Sequence, residues 1–106
     1  MNELNTNWIE VCLETEIEMD DLKRFDHENK TFCIYKLEDG FYATDGLCTH
    51  EEVHLEDGLV MHNEIECPMH QGIFDIKTGK AMSEPACVDL KTYETKVENN
   101  KIYIKL

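Results

Sequence analysis

Apolar and polar positions along this chain alternate in short runs, and no stretch sustains the 3.6-residue period of an amphipathic helix. The clearest run is Thr31-Phe32-Cys33-Ile34-Tyr35-Lys36-Leu37, rich in aromatic and β-branched residues and ending at the turn Glu38-Asp39-Gly40. Phe41-Tyr42-Ala43-Thr44 follows as its partner, so a hairpin is expected to deliver the chain to Cys48. Upstream, Trp8 to Leu13 reads as a short strand closing a sheet. Glu14 to Asp21 reads as an acidic connection with a helical turn at Asp20-Asp21-Leu22, and Phe25 opens a strand that turns at His27-Glu28-Asn29-Lys30. Downstream, Gly58 to Met61 and Glu64 to Glu66 flank the turn His62-Asn63. Gly72 to Ile76 is a further strand, Lys77 to Lys80 a turn and Ser83 to Ala86 a loop. Tyr93 to Val97 and Ile102 to Leu106 pair across Glu98 to Lys101, where Asn99 and Asn100 tolerate positive φ. Short strands with regular turn signals predict an all-β fold, an antiparallel sandwich or barrel with function on its loops.

Composition narrows the function. The 106 residues suffice for one modest core and one domain, 1–106, and are too few to add a separate catalytic domain. Acidic residues outnumber basic ones 23 to 10, giving a formal charge of −13. That charge exceeds the magnitude of roughly 2 to 8 common for small soluble domains. It repels phosphate, which argues against nucleic acid, and favours steered encounter with basic patches on other proteins. The five cysteines are odd in number and suggest no disulfide framework, which fits a reducing cytoplasm. The first residues, Met1 to Asn5, lack a basic and apolar leader pattern, and no apolar run approaches the roughly 18 residues needed to span a bilayer. A soluble, cytoplasmic protein with no membrane association is expected.

The chemistry is concentrated in two boxes. Cys48-Thr49-His50 is followed, after 16 residues, by Cys67-Pro68-Met69-His70. Each half offers one thiolate and one imidazole, a donor set suited to zinc or to iron–sulfur chemistry. Structural zinc sites usually pair like ligands within each half. Here each half is mixed, as needed if the halves reach both ends of a longer object. A two-iron cluster with two cysteines on one iron and two histidines on the other is such an object. A competing pattern overlaps the first box: His50-Glu51-Glu52-Val53-His54 matches the H-E-x-x-H of zinc metalloproteases. That motif requires a helix to bring both histidines to one face. The flanking Asp45-Gly46-Leu47 and Glu56-Asp57-Gly58 read instead as loop, and the match leaves Cys48, Cys67 and His70 unexplained.

On these residues the chain resembles the Rieske-type [2Fe–2S] ferredoxins of bacterial ring-hydroxylating oxygenase systems. The likeness extends to Phe41-Tyr42-Ala43-Thr44-Asp45, Ile65-Glu66-Cys67-Pro68, Gly72-Ile73-Phe74-Asp75, Thr78-Gly79-Lys80 and Leu90-Lys91-Thr92-Tyr93, and so covers most of the chain. The resemblance implies a Rieske-type antiparallel β sandwich with a small cluster-binding subdomain, about residues 46–76, formed by two loops. It implies one [2Fe–2S] cluster per chain, with Cys48 and Cys67 on the inner iron and His50 and His70 on the outer one. It further implies a monomeric electron carrier, not itself an enzyme, that takes electrons from an NAD(P)H-dependent ferredoxin reductase and delivers them to a terminal aromatic-ring oxygenase. Glu51, Glu52, Glu56 and Asp57 would rim the electron's exit, and Pro85 would wall the cluster. Two departures from the family pattern, Met69 and Gln71, bear on partner contact and solvent access rather than on ligation.

The resemblance also implies a low potential. High-potential Rieske proteins carry an extra cysteine in each box where this chain has Val53 and Met69, and a serine and tyrosine where it has Gly72 and Phe74. Two alternatives from other classes remain: a structural Cys2His2 zinc module for protein interaction, and a small-subunit-like domain of a larger oxidoreductase. Cys12, Cys33 and Cys87 lack ligand spacing to one another and are expected in the core. His27 and His62 fall in turns and should be solvated, while His54 matches neither box and should lie at the surface.

Overall fold

A computed structural model describes residues 7–49, 53–69, 72–83 and 88–106. Eleven strands are formed among them: β1 (Trp8–Leu13), β2 (Asp21–His27), β3 (Lys30–Leu37), β4 (Gly40–Asp45), β5 (Leu59–Met61), β6 (Glu64–Glu66), β7 (Ile73–Asp75), β8 (Ala81–Ser83), β9 (Thr92–Tyr93), β10 (Thr95–Glu98) and β11 (Lys101–Lys105). They build three antiparallel sheets in the orders β1-β11-β10, β2-β3-β4-β9 and β5-β6-β7-β8. The all-β expectation holds.

The β3 run explains the layering. Its residues are buried on both faces, and alternate side chains enter different cores. Phe32 and Ile34 join Cys12, Ile17, Ala43, Ile102 and Ile104 in a core shared with the β1-β11-β10 sheet. Cys33, Tyr35 and Leu37 join Ile65, Phe74, Ile76 and Leu90 in a second core shared with the β5-β6-β7-β8 sheet. The central sheet is therefore the common wall of two cores, which is why its strand reads as continuous apolar sequence rather than as clean alternation. The second core holds one buried hydroxyl pair. Thr44 donates its only hydroxyl proton to the Asp45 carbonyl at 2.7 Å, so Tyr35 must be the donor in its 2.9 Å bond to Thr44.

Three local expectations are corrected. The helical turn lies at Glu14–Glu16, as a 3-10 turn, and not at Asp20-Asp21-Leu22. Asp20 instead takes a left-handed φ of 59° and Asp21 opens β2, so the polar residues there turn the chain into a strand. The single strand expected over Tyr93 to Val97 is divided at Glu94: Tyr93 pairs with Ala43 in the central sheet, while Thr95 pairs with Ile104 in the outer one. This crossing stitches the two sheets together. Ser83, expected to open a loop through Ala86, instead ends β8, whose Ala81-Met82-Ser83 depends on its ladder to β7; the rest of that loop lies outside the described residues.

Candidate metal centre

Both cysteines of the boxes open loops of the same construction. In the first, the Cys48 N–H donates to the Val53 carbonyl at 2.9 Å, and Leu47 pairs with His54 just outside. In the second, the Cys67 N–H donates to the Gly72 carbonyl at 2.7 Å, and Glu66 pairs with Ile73 just outside. The same bond and the same flanking pair recur 19 residues apart. Each cysteine N–H is thus satisfied within its own loop, which helps orient the residue that carries the thiol. Cys48 and Cys67 are 3% and 1% exposed and belong to one packed core with Leu55, Ile65 and Phe74.

The surroundings fit paired thiolates. The Met69 N–H points at Cys67 Sγ, 3.5 Å away, the kind of hydrogen bond that stabilises a sulfur ligand's charge. Two buried sulfurs presented by matched loops are a sound donor set for one iron of a two-iron cluster. His50 and His70, the other sequence-predicted ligands, lie outside the described residues, as do Glu51, Glu52, Pro85 and Cys87. The structure therefore brings together Cys48 and Cys67 and leaves the imidazole half to the sequence.

Several contacts lock the first loop in place. Leu55 is fully buried and its N–H donates to the Gly46 carbonyl at 2.9 Å. Arg24 on β2 bonds Glu56 at 2.8 Å and Asp26 at 3.0 Å, clamping the 3-10 turn Leu55–Asp57 onto the central sheet. The Arg24 guanidinium, with help from Thr31, holds the Asp26 carboxyl below its usual range. Thr49 reaches 39 residues along the chain to donate its hydroxyl to the Val88 carbonyl at 2.6 Å. No local residue pattern signals this latch, because its acceptor is main chain. Val88, Leu47 and Met69 are apolar and exposed around the loops, a modest rim not anticipated from sequence.

The remaining candidates sort clearly. Cys12 and Cys33 are core residues as expected, and burial pushes the Cys33 thiol up to about 12, leaving it inert. His62 is exposed on its turn. His27 is half-buried, stacked on Phe25 with ring centroids 6.0 Å apart. His54 departs from its expected surface place, since it is half-buried and its Nδ1 is shielded with no hydrogen-bond partner. Its backbone is extended, with φ −78° and ψ 127°, so it is not on the helix that the protease pattern requires.

Gly58 sets how closely the two loops approach. A Cβ there would lie 2.1 Å from the Glu66 carbonyl oxygen, one residue before Cys67. Alanine at Gly58 is expected to push β5 from β6, costing about 1–3 kcal/mol. Thermal unfolding should show the loss, and the visible spectrum should show the displacement of Cys67. An unchanged midpoint would mean that the strands separate without resistance.

Residues 7–94 match the Rieske [2Fe-2S] domain family. The ferredoxin component of the 2,4-dinitrotoluene dioxygenase system of Burkholderia sp. (strain RASC) is 39% identical over 103 residues, covering 97% of this chain and 99% of that protein. The ferredoxin component of the naphthalene 1,2-dioxygenase system of Pseudomonas putida is 41% identical with the same coverage. A chain in the solved complex of reduced oxygenase and oxidized ferredoxin in carbazole 1,9a-dioxygenase superposes with a TM-score of 0.90 at 31% identity, covering 95% of this chain and 94% of that one. With paired cysteine loops, a shared fold and near full-length similarity in hand, the chain belongs to the Rieske [2Fe–2S] domain family and is one of its ferredoxins, an electron carrier rather than an enzyme.

Proposed function

We propose that Cys48 and Cys67 hold one iron of the cluster as thiolates and that His50 and His70 hold the other through one ring nitrogen each. On this reading the chain carries single electrons from an NAD(P)H-dependent ferredoxin reductase to a terminal aromatic-ring oxygenase. The matched backbone closure of the Cys48 and Cys67 loops is the observation that carries the ligand assignment. The relatives named as ferredoxin components of dioxygenase systems support the partners. When bound, a Rieske cluster accepts and returns one electron.

The chain's own residues supply the rest. Met69 N–H favours charge on the Cys67 sulfur. Leu55, Ile65 and Phe74 exclude water from the cysteine side, and the Thr49 latch and Arg24 clamp hold the first loop in register. The protein acts as a single domain over 1–106 with its cluster-binding part at about 46–76, works in the cytoplasm and is a monomer. No helix among the described residues is long and apolar enough to cross a membrane.

Its potential is low. Gly72 and Phe74 have no hydroxyl to donate toward the cluster, and the −13 charge disfavours adding an electron. Protein-film voltammetry near neutral pH should place the midpoint toward the lower end of the roughly −150 to +300 mV Rieske range. A midpoint well above zero would reject the low-potential carrier.

A further inference from the structure

The two cysteine loops share a backbone closure but not a footing. Below Cys67 the pair Glu66 and Ile73 continues into Ile65 with Phe74 and Glu64 with Asp75, so the second loop stands on a strand ladder. Below Cys48 the pair Leu47 and His54 is an isolated bridge. Beyond that bridge the chain enters β4 on one side and the 3-10 turn Leu55–Asp57 on the other, and a strand beside a turn cannot continue a ladder.

A ring of hydrogen bonds takes the ladder's place. The Leu55 N–H donates to the Gly46 carbonyl at 2.9 Å, and the Gly46 N–H donates to the Thr31 carbonyl at 2.8 Å. The Thr31 hydroxyl donates to Asp26 at 3.0 Å, Arg24 Nε donates to the same carboxylate oxygen at 3.0 Å, and Arg24 Nη1 donates to Glu56 at 2.8 Å. Glu56 follows Leu55 in the chain, so the circuit closes on itself. Both ends of the first loop, Gly46 and Leu55, are members of it. Strand geometry brings the others within reach: Asp26 and Thr31 are cross-strand partners, and Arg24, two residues from Asp26, shares its face of β2. Gly46 is required at its corner, since a Cβ there would collide with Thr31.

Arg24 joins the two halves of the ring, and it is the only arginine of the chain. Its planar fork holds two carboxylates from different elements at once, which a lysine ammonium group does not reproduce. The Arg24 and Glu56 side chains are 35% and 36% exposed, so either ion pair alone would contribute little. Closure of the network is what gives them their effect. We propose that Arg24 is a positioning residue for the cluster: through Glu56 and Asp26 it keeps the two ends of the Cys48 loop together and so slows the release of iron from that loop. This inference rests on Cys48 holding iron, as proposed above.

The test challenges the cluster-loaded protein with EDTA while its visible absorption is followed, with hydrogen exchange of residues 46–55 measured by mass spectrometry on the same samples. Arg24→Gln and Glu56→Ala should each speed both bleaching and exchange by about fivefold. The two substitutions change the local charge in opposite senses, so an effect of charge alone would drive bleaching in opposite directions. The double variant should be no faster than the faster single one, because either change opens the same ring. Arg24→Lys keeps the charge without the fork and should undo less than half of either increase. Lys101→Gln removes a positive charge on the outer sheet, and Ile104→Val loosens the other core; both should leave bleaching unchanged. Opposite effects of Arg24→Gln and Glu56→Ala, full recovery by Arg24→Lys, or equal bleaching of Ile104→Val would each overturn the proposal. Unchanged exchange in Arg24→Gln would reject the ring itself, whereas faster exchange with unchanged bleaching would reject iron on this loop.

Discussion

Alanine at either His50 or His70 is expected to abolish the visible and electron paramagnetic resonance signature of the cluster, whereas alanine at His54 leaves it in place. Loss of a direct imidazole ligand should lower cluster retention by more than the roughly 10- to 100-fold typical for loss of a mere supporting residue. Geometry makes His54 an unsuitable substitute. It pairs with Leu47 at the base of the first loop, in the register that Ile73 occupies in the second. Its backbone is held there on both sides, since Val53 accepts from the Cys48 N–H and Leu55 donates to Gly46. Iron content and spectra of the three purified variants would measure this, and a normal spectrum for His70→Ala would sink the ligand assignment.

Phe74→Ala should be the most damaging single core truncation on the cluster side. The ring is fully buried in the core that also contains Cys48 and Cys67, and such truncations cost about 3–5 kcal/mol. That is a large share of the roughly 5–15 kcal/mol by which small domains are stable, and corresponds to a fall of roughly 12–20 °C in unfolding midpoint. Phe32→Ala supplies the contrast. Phe32 is equally large and 1% exposed, but it faces the other core, with Ile102 and Ile104. Similar destabilisation is expected from both, with cluster loss only for Phe74→Ala at temperatures where both remain folded. Equal cluster loss in the two variants would show that the central sheet does not insulate one core from the other.

The parts of this structure legible in sequence are those where side chains decide. The β3 run announced itself because both its faces are buried, and the two boxes did so because metal ligation needs particular donors at particular spacings. The parts that were missed are decided by backbone or by distant partners. β8 is held by its ladder rather than by its side chains, and the break at Glu94 follows from two sheets competing for one segment. The likeness of the two loops was hidden for the same reason: Leu47 with His54 and Glu66 with Ile73 share a register but no residue type. The Thr49 latch is a hydroxyl on a carbonyl 39 residues away, beyond the reach of any local pattern. His54 reads as a surface residue because it matches neither box, while the bridge to Leu47 draws it inward.

The ligand set can be read directly. Electron–nuclear double resonance on the dithionite-reduced protein, grown with nitrogen-15 histidine, counts the imidazole nitrogens bound to the paramagnetic centre. The assignment of His50 and His70 alongside Cys48 and Cys67 predicts an average g below the free-electron value and strong coupling to two histidine nitrogens. A colourless, resonance-silent protein loaded with zinc, or a reduced cluster with no histidine coupling, would contradict it.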